Sequence, residues 1–243
     1  MVKRERADRV LVARGLFESR AQAQAAITAG QVTADGSLVR KPSDAISSSA
    51  VIAAHPAHPY VSRGAIKIAA ALESFSLEIA GRVCLDVGSS TGGFTEILLA
   101  RGARHVYAVD VGRDQLHPRL QGHPRVTSIE QTDIRKVCPS HFPEPADFAA
   151  IDVSFISLRA VLPHVGCLLK QSATLLALIK PQFEAGRHRV KKGIVRDPTI
   201  QAEVCDDIAH LLADLGWRIG GLIPSPILGG DGNREFFIEA RRG

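Results

Sequence analysis

The sequence has few cysteines and no long apolar run, and these absences exclude several classes of protein. It has four cysteines, which lie far apart and include no C-x-x-C pair: Cys84, Cys138, Cys167 and Cys205. This spacing is typical of reduced core thiols in a cytosolic protein and argues against zinc ligands or a disulfide framework. The longest apolar run, residues 173–179, is far too short to span a bilayer, and the charged N-terminus has no apolar stretch behind it. We therefore expect a cytoplasmic protein that neither enters a membrane nor is exported.

Aromatic residues are nearly absent from the first quarter of the chain, whereas basic residues are concentrated there. Residues 1–63 hold nine Lys or Arg, Lys3 among them, against five Asp or Glu, which gives +4 of the chain's net charge of +5. Such a cluster can neutralise RNA phosphates, and the lack of aromatic residues favours recognition of RNA shape over base stacking. The alternative is a solvated basic helical hairpin. The candidate RNA-binding residues are Arg4, Arg6, Arg9, Arg14, Arg20, Arg40, Lys41 and Arg63.

The same segment predicts a small α+β domain. Helices are predicted over 6–14 and 20–29, the second with Ser19 as its N-cap and Gly30 as its C-cap. Strands over 32–34 and 37–39 flank a hairpin turn, and residues 51–54 can form a third strand. This pattern resembles the RNA-binding domain named after ribosomal protein S4. With a proline-containing linker at His55–Pro59, the sequence predicts a first domain over 1–59 and a second over 60–243.

The stretch from Val83 to Thr95 reads Val-Cys-Leu-Asp-Val-Gly-Ser-Ser-Thr-Gly-Gly-Phe-Thr and predicts a strand, a tight turn and a helix. We expect its glycines to allow close approach of a ligand or a positive φ. It matches neither G-x-G-x-x-G nor a P-loop. It resembles the first motif of class I methyltransferases, across which S-adenosylmethionine lies, although glycine-rich turns of this kind are common. The candidate cofactor-binding residues, two of them from later segments, are Asp86, Gly88, Ser89, Ser90, Thr91, Gly92, Gly93, Phe94, Asp110 and Asp133.

Strands and helices alternate along the second domain. Strands are predicted over 105–109, 126–129, 146–151 and 173–179. Helices are predicted over 60–72, after Asp-Val-Ser-Phe-Ile-Ser as far as Lys170, and over 199–215, and a strand from Trp217 forms a closing antiparallel pair with the last strand. This alternation predicts a parallel sheet, in which ligands bind beyond the carboxyl ends of the strands. Asp86, Asp110, Asp152 and Lys180 fall at that edge. Asp110 could accept ribose hydroxyls and Asp133 an adenine amine, and the alternative for each is a cap or turn carboxylate.

Several motifs together resemble the TlyA/haemolysin A family over nearly the whole chain. They are Val-Ser-Arg-Gly-Ala-Ile-Lys, the glycine-rich stretch, Asp-Val-Ser-Phe-Ile-Ser, Lys-Pro-Gln-Phe-Glu, Gly-Ile-Val-Arg-Asp and Gly-Asn-Arg-Glu-Phe-Phe. The resemblance implies an α/β fold with two domains. An S4-type domain comes first, and an FtsJ-like methyltransferase domain of class I (Rossmann-like) follows it. It implies 2′-O-methylation of ribosomal RNA, of the cytidine type, on RNA or ribosomal subunits. It also implies a catalytic tetrad of Lys67, Asp152, Lys180 and Glu235. Ala65 departs from the family, in which glycine is more usual.

The tetrad makes chemical sense for transfer to a ribose hydroxyl, which is a poor nucleophile near neutral pH. A lysine can accept the hydroxyl proton only in its neutral form, which burial or a nearby ammonium favours. We choose Lys180 as the base and Lys67 as the neighbouring cation, oriented by Asp152 and Glu235. No histidine accompanies these carboxylates at ligand spacing, so we expect no metal. The basic loop from Arg187 to Lys192 either contacts RNA phosphates or is a solvated loop.

Two other classes of function stay open at this point. One is a haemolysin-like membrane-active protein, against which the missing spanning segment argues. The other is a non-catalytic RNA-binding ribosome factor that has kept the fold, which would be favoured had a tetrad position been replaced.

Overall fold

A computed structural model describes residues 4–229 and 231–243. Lys3 of the predicted basic cluster and Gly230 of the loop before Glu235 lie outside the described residues. The chain divides into two compact units, the first ending at Pro59 and the second beginning at Tyr60.

The first unit packs two short helices against two small sheets. Asp35 and Gly36 both have positive φ, 50° and 76°, and form the predicted hairpin turn. Strands β1 and β4 pair with each other, and sequence reasoning missed both because three residues are too few to show a periodicity. The elements are β1 (Arg4–Arg6), α1 (Ala7–Ala13), α2 (Arg20–Thr28), β2 (Val32–Ala34), β3 (Ser37–Leu38), β4 (Ala45–Ser47) and β5 (Ile52–Ala54).

The second unit is built on a seven-stranded sheet in the order β11-β12-β10-β9-β6-β7-β8. Strands β6 to β10 pair in parallel, and β12 runs antiparallel between β10 and β11. The prediction of an α/β, mostly parallel sheet with an antiparallel pair at its edge is confirmed. The elements are α3 (Gly64–Ser74), β6 (Val83–Val87), α4 (Gly93–Ala100), β7 (His105–Val109), β8 (Val126–Ile129), β9 (Ala146–Ile151), α5 (Leu158–Val165), β10 (Leu169–Ile179), α6 (Pro181–Glu184), α7 (Pro198–Asp214), β11 (Arg218–Pro224) and β12 (Phe236–Arg241).

Apolar layers cover both faces of this sheet. On one face, α5 and α7 pack on side chains such as Leu85, and on the other face α3 and α4 pack on side chains such as Cys84. Side chains of neighbouring residues in a strand point to opposite faces, so a strand buried on both sides is apolar throughout. Asp86, on the α3 and α4 face, is the charged exception in β6, and it is fully buried.

Two expectations from the sequence are wrong. The helix predicted to continue as far as Lys170 ends at Val165, and β10 begins at Leu169. The first residues of β10 include exposed polar side chains, so they lack the apolar pattern by which a buried strand is recognised. All four cysteines are free, but Cys138 and Cys167 are exposed, so only Cys84 and Cys205 are core thiols. In the part of the chain that the structure describes, no helix is long and apolar enough to cross a membrane.

Candidate active site

The candidate site lies where the strand order reverses, between β6 and β9. The chain continues from β6 to β7 on one side and from β9 to β10 on the other, so the loops after β6 and β9 diverge and leave a crevice. Gly88 has a φ of +82°, and a Cβ atom there would lie 2.5 Å from the carbonyl oxygen of Asp152. This glycine therefore allows the two loops to meet.

A cavity of about 570 Å³ opens at this crevice. Among the predicted cofactor-binding residues, its lining contains Gly88, Ser90, Asp110 and Asp133. Asp152 of the predicted tetrad lines it as well. Its remaining walls are mostly apolar and come from β6, β7 and the segments after β8 and β9. Sequence reasoning missed most of those wall residues, because apolar side chains at strand ends look like ordinary core.

Asp110 directly follows β7 and organises the loops around the cavity. Its Oδ2 accepts a hydrogen bond of 2.8 Å from the Ser90 N–H, and its Oδ1 accepts one of 2.7 Å from the Gly112 N–H. Each carboxylate oxygen can accept a further bond. Asp110 can therefore position the glycine-rich turn and still accept ribose hydroxyls.

The loop after Asp110 is held by a carboxylate that the sequence did not reveal. Glu130 accepts backbone hydrogen bonds from Asp114 at 2.6 Å, Gln115 at 2.9 Å and Leu116 at 2.9 Å. These bonds, that of Leu116 first, lower the pKa of Glu130. The loop is thus fixed with Gln115 in the cavity lining.

Asp133 lies at the cavity, but its carboxylate is already engaged. It caps the 3-10 helix Ile134–Lys136 and accepts hydrogen bonds from the Arg135 side chain at 2.5 and 3.0 Å. The bond from Arg135 lowers the pKa of Asp133 to about 2. The structure thus shows the capping role named as the alternative, and the contact with an adenine amine stays a prediction.

Asp86 is buried beneath the cavity with one oxygen unsatisfied. Its Oδ2 accepts a hydrogen bond of 2.6 Å from Thr95 Oγ1, while Oδ1 has no hydrogen-bond partner. Burial, reinforced by the charges of Asp152 and Asp110, raises the pKa of Asp86 to about 7. The group is therefore poised to change charge near neutral pH.

The rest of the glycine-rich stretch mainly packs against the protein itself. A Cβ atom at Gly92 would lie 2.3 Å from Leu120 Cδ1, and one at Gly93 would lie 2.1 Å from Ser62 Oγ. Phe94 is buried in the core between the sheet and α3. The atoms that exclude a side chain here belong to the protein, so the ligand-approach explanation is not needed for these glycines. Ser89 and Thr91 contribute backbone carbonyls, which bond to the N–H groups of Gly92 and His117.

Lys180 and Asp152 meet at the carboxyl ends of β10 and β9, which are adjacent parallel strands. Lys180 Nζ lies 2.6 Å from Asp152 Oδ1 and donates a hydrogen bond of 2.8 Å to Ser154 Oγ. Asp152 Oδ1 is buried and accepts no hydrogen bond of regular geometry, so its contact with Lys180 is an ion pair without a directional bond. The Lys180 side chain is only 10% exposed, and charge interactions are stronger in such a poorly hydrated environment.

Lys67 and Glu235 form the second ion pair of the predicted tetrad. Lys67 Nζ, on α3, donates a hydrogen bond of 2.6 Å to Glu235 Oε2, which directly precedes β12, and both side chains are buried. The loop before Glu235 packs directly on this carboxylate, since a Cβ atom at Gly229 would lie 2.4 Å from Glu235 Oε1. The four predicted residues, from remote parts of the sequence, thus form two ion pairs, of which Lys67–Glu235 is buried and Lys180–Asp152 is partly exposed at Asp152.

Asn233 joins this loop to the segment after the basic loop, and it is 1% exposed. Its Oδ1 accepts a hydrogen bond of 3.0 Å from the Val195 N–H, and its Nδ2 donates one of 2.9 Å to the Gly193 carbonyl. The motif Gly-Asn-Arg-Glu-Phe-Phe therefore contributes a structural amide as well as Glu235.

Phe155, which sequence reasoning overlooked, is exposed to solvent beside Asp152 and Ser154 at the cavity. It is 91% exposed and has a φ of +64°, in the left-handed region that favours glycine. Its ring centroid lies 5.2 Å from that of Phe183. Backbone strain of this kind clusters at active sites and ligand-binding loops. The only signal in the sequence was its place in Asp-Val-Ser-Phe-Ile-Ser.

The eight predicted RNA-binding residues are all exposed. Arg6 and Arg20 donate hydrogen bonds to the buried carboxylate of Asp8, and the bond from Arg6, more than any other contact, lowers the pKa of Asp8. Arg14 donates to the carbonyl of Ala50. In the second unit, Arg63 donates to the Leu228 carbonyl at 2.8 Å. The other four lie on the surface of the first unit: Arg4, Arg9, Arg40 and Lys41.

No group of three or more His, Cys, Asp or Glu side chains that could hold a metal ion occurs within residues 4–229 and 231–243. The expectation of a metal-free enzyme remains a prediction.

Comparison with known proteins gives two family matches. The FtsJ-like methyltransferase family matches residues 60–242, and the S4 domain matches residues 5–52. The sequence is 44% identical over 245 residues to the 16S/23S rRNA (cytidine-2′-O)-methyltransferase TlyA of Mycobacterium tuberculosis, covering 99% of this chain and 91% of that protein. It is 45% identical over 240 residues to YqxC of Bacillus subtilis, covering 97% and 85%. A solved structure from Streptococcus thermophilus, named as a hemolysin, matches with a TM-score of 0.80 at 40% identity and covers 100% of this chain and 90% of that one.

Proposed function

Because the chain belongs to the FtsJ-like methyltransferase family and carries an S4 domain, we propose that it methylates the ribose 2′-hydroxyl of a cytidine in ribosomal RNA, using S-adenosylmethionine. The name of the M. tuberculosis relative supports the reaction and the cytidine. The observation that carries the proposal is the Lys180–Asp152 ion pair beside the cavity at the strand-order reversal.

The cavity suits this cofactor in size and in chemistry. Its volume of about 570 Å³ lies within the usual range for small-molecule sites. Asp110 has remaining acceptor capacity for ribose hydroxyls, the apolar walls suit an adenine ring, and the surrounding carboxylates suit a cation. Asp86 has an unpartnered Oδ1 beneath the site and a pKa of about 7, and a cation bound above it would favour its ionised form. When bound, S-adenosylmethionine supplies an electrophilic methyl group on a positively charged sulfur.

Lys180 is the proposed base. In its neutral form, Nζ would accept the proton of the ribose hydroxyl as the oxygen bonds to the methyl carbon. The carbon–sulfur bond of the donor would break in the same step and leave a neutral thioether. Asp152, 2.6 Å away, would stabilise the resulting ammonium. The hydrogen bond to Ser154 Oγ fixes the direction of the amine. The Lys67–Glu235 pair adds a second, internally compensated cation. Orientation of the hydroxyl by these fixed groups supplies much of the acceleration.

Recognition of the RNA is assigned to three surfaces. The exposed arginines of the first unit and the basic loop from Arg187 to Lys192 would contact phosphates, which gives affinity without reading sequence. Phe155, beside Ser154 and the cavity, offers its exposed ring to an unstacked base near the methylated ribose. The enzyme would thus contact the RNA backbone at several places and contact bases only near the site.

The test is methylation of purified ribosomal subunits with labelled S-adenosylmethionine, followed by mapping of the modified ribose by its resistance to alkaline cleavage. Replacing Lys180 by methionine should lower the rate of methylation by about 10²–10⁴-fold, the usual contribution of a general base. Retained activity in Lys180→Met would remove Lys180 as the base, and no transfer by the wild-type protein to either subunit would remove the proposed function.

The same pair of strands offers a matched control. Lys170, near the start of β10, forms an ion pair of 2.6 Å with Asp147, near the start of β9. Lys170→Met therefore breaks a pair of the same length between the same strands, but at the opposite edge of the sheet. This variant should methylate at nearly the wild-type rate.

A further inference from the structure

The segment that carries Asp152, Ser154 and Phe155 is held along its length by the segment that begins at Lys180. At one end, Lys180 contacts Asp152 and Ser154. In the middle, the rings of Phe155 and Phe183 pack at 5.2 Å. At the other end, Glu184 Oε2 accepts a hydrogen bond of 2.5 Å from Ser157 Oγ, and Glu184 Oε1 accepts one of 2.7 Å from the Leu158 N–H. Residues 152–158 and 180–184 are thus connected to each other along their whole length.

Glu184, in α6, completes this connection by capping the N-terminus of another helix, α5. Ser157 is the N-cap of α5, and its Oγ also accepts a hydrogen bond of 3.1 Å from the Arg159 N–H. The Leu158 N–H belongs to the first turn of α5, where it has no partner within the helix. A carboxylate at a helix N-terminus satisfies such a group and interacts favourably with the helix dipole. Burial raises the pKa of Glu184, in keeping with a structural position inside the fold.

The backbone conformation of Phe155 connects the contacts of Glu184 to the candidate site. Its positive φ is a conformation that bulky residues adopt only when the surrounding structure imposes it. The contacts of Lys180 lie before Phe155 in the sequence, and the contacts of Glu184 lie after it. Without Glu184, the segment would lose its polar contacts after Phe155 and keep those with Lys180 and Phe183, so the backbone of Phe155 would be less restrained in the left-handed region.

We propose that Glu184 is a positioning residue for the methyl transfer, which holds Asp152, Ser154 and the exposed ring of Phe155 in their working arrangement through Ser157 and the start of α5. This inference rests on the proposed function for its kinetic consequences and on the geometry alone for its structural ones. Glu184 itself takes no part in the proton transfer.

The kinetic test compares Glu184→Ala, Glu184→Gln and Glu144→Ala. Glu184→Ala should lower the methylation rate by about 10- to 100-fold, as expected for a small misplacement of reacting groups. Glu184→Gln keeps an acceptor for the Leu158 N–H and should stay within about 3-fold of wild type. Glu144 accepts two hydrogen bonds of 2.7 Å from Arg104 on the surface, so Glu144→Ala loses two bonds away from the site and should be fully active.

A double-mutant cycle separates positioning from general loss of stability. If Glu184 acts through the Phe155 segment, adding Glu184→Ala to Phe155→Ala should cost much less than Glu184→Ala costs alone. Multiplicative effects of the two substitutions, or equal rates for Glu184→Ala and wild type, would overturn the inference while the proposed function stands.

Amide hydrogen exchange tests the same inference without any activity. Exchange in residues 152–158, including the Leu158 amide, should become about 10-fold faster or more in Glu184→Ala and stay unchanged in Glu144→Ala. Unchanged exchange in the Glu184 variant would overturn the inference even if the protein methylated no RNA.

Discussion

Replacing Asp86 by asparagine is expected to change how the stability of the second unit depends on pH. The wild-type carboxyl is fully buried, accepts one hydrogen bond from Thr95 Oγ1 through Oδ2, and leaves Oδ1 unpartnered. Its pKa rises from 3.8, the ordinary value, to about 7 on folding, chiefly because burial disfavours the charge. Because the folded state binds this proton more tightly, Asp86 stabilises the fold below pH 3.8, and that contribution is lost as the pH rises towards about 7.

The magnitude follows from the same two values. The difference between 3.8 and about 7 corresponds to roughly 4 kcal/mol. Asparagine does not titrate, so the unfolding free energy of Asp86→Asn minus that of wild type should rise by up to roughly this amount between pH 4 and pH 8. The intrinsic effect of the substitution is the same at every pH, and it cancels when the differences are compared. In thermal unfolding, the corresponding change in relative Tm is roughly 10 °C.

The assay is urea unfolding followed by the fluorescence of Trp217, the only tryptophan, which is 4% exposed in the second unit. Asp147→Asn is a control for which the stability difference from wild type should change with pH in the opposite direction. Burial works against ionisation of Asp147, but hydrogen bonds from Lys170 and the Val83 N–H leave its pKa lowered. That variant should therefore gain relative to wild type as the pH falls. A difference between Asp86→Asn and wild type that stays flat with pH would refute the reasoning.

Two further predictions concern ligands. Asp110→Ala should abolish measurable binding of S-adenosylmethionine in titration calorimetry while leaving the second unit folded, because both the Ser90 and Gly112 bonds and the ribose acceptor are lost; unchanged binding would remove Asp110 from the cofactor site. Arg20→Gln should weaken RNA binding and reduce the slope of log affinity against log salt by about 1, as for one lost phosphate contact; an unchanged slope would mean that Arg20 only neutralises Asp8.

Much of the sheet could be predicted because its strands are buried on both faces. The predicted bounds of β7, β8 and β9 agree with the structure, and β7 and β9 are mostly apolar runs that are each followed by an aspartate. The geometry of a parallel sheet also predicted that Asp152 and Lys180 lie at the edge formed by the carboxyl ends of the strands, and the structure brings them within 2.6 Å of each other. The start of β10 was missed because its first residues are polar and partly exposed.

The finer features of the site were not accessible from the sequence, because they depend on contacts between distant segments. Nothing in a one-dimensional pattern shows that Phe155 is held at positive φ, that Glu184 caps another segment's helix, or that Gly93 makes room for Ser62. Glycines in the turn signalled crowding correctly, but not which atoms are responsible. The acidic residues at strand ends were recognisable, whereas their partners became visible only in three dimensions.

The position of β12 has a consequence for synthesis of the protein. This strand is inserted between β10 and β11, and the residue just before it, Glu235, pairs with Lys67 across 168 positions of sequence. While the chain is emerging from the ribosome, β10 and β11 have no strand between them and the ammonium of Lys67 has no carboxylate. The nascent enzyme should therefore be unable to assemble the proposed catalytic residues until β12 has left the exit tunnel. A translation product stopped before Glu235 would carry the S4 domain without a complete methyltransferase sheet.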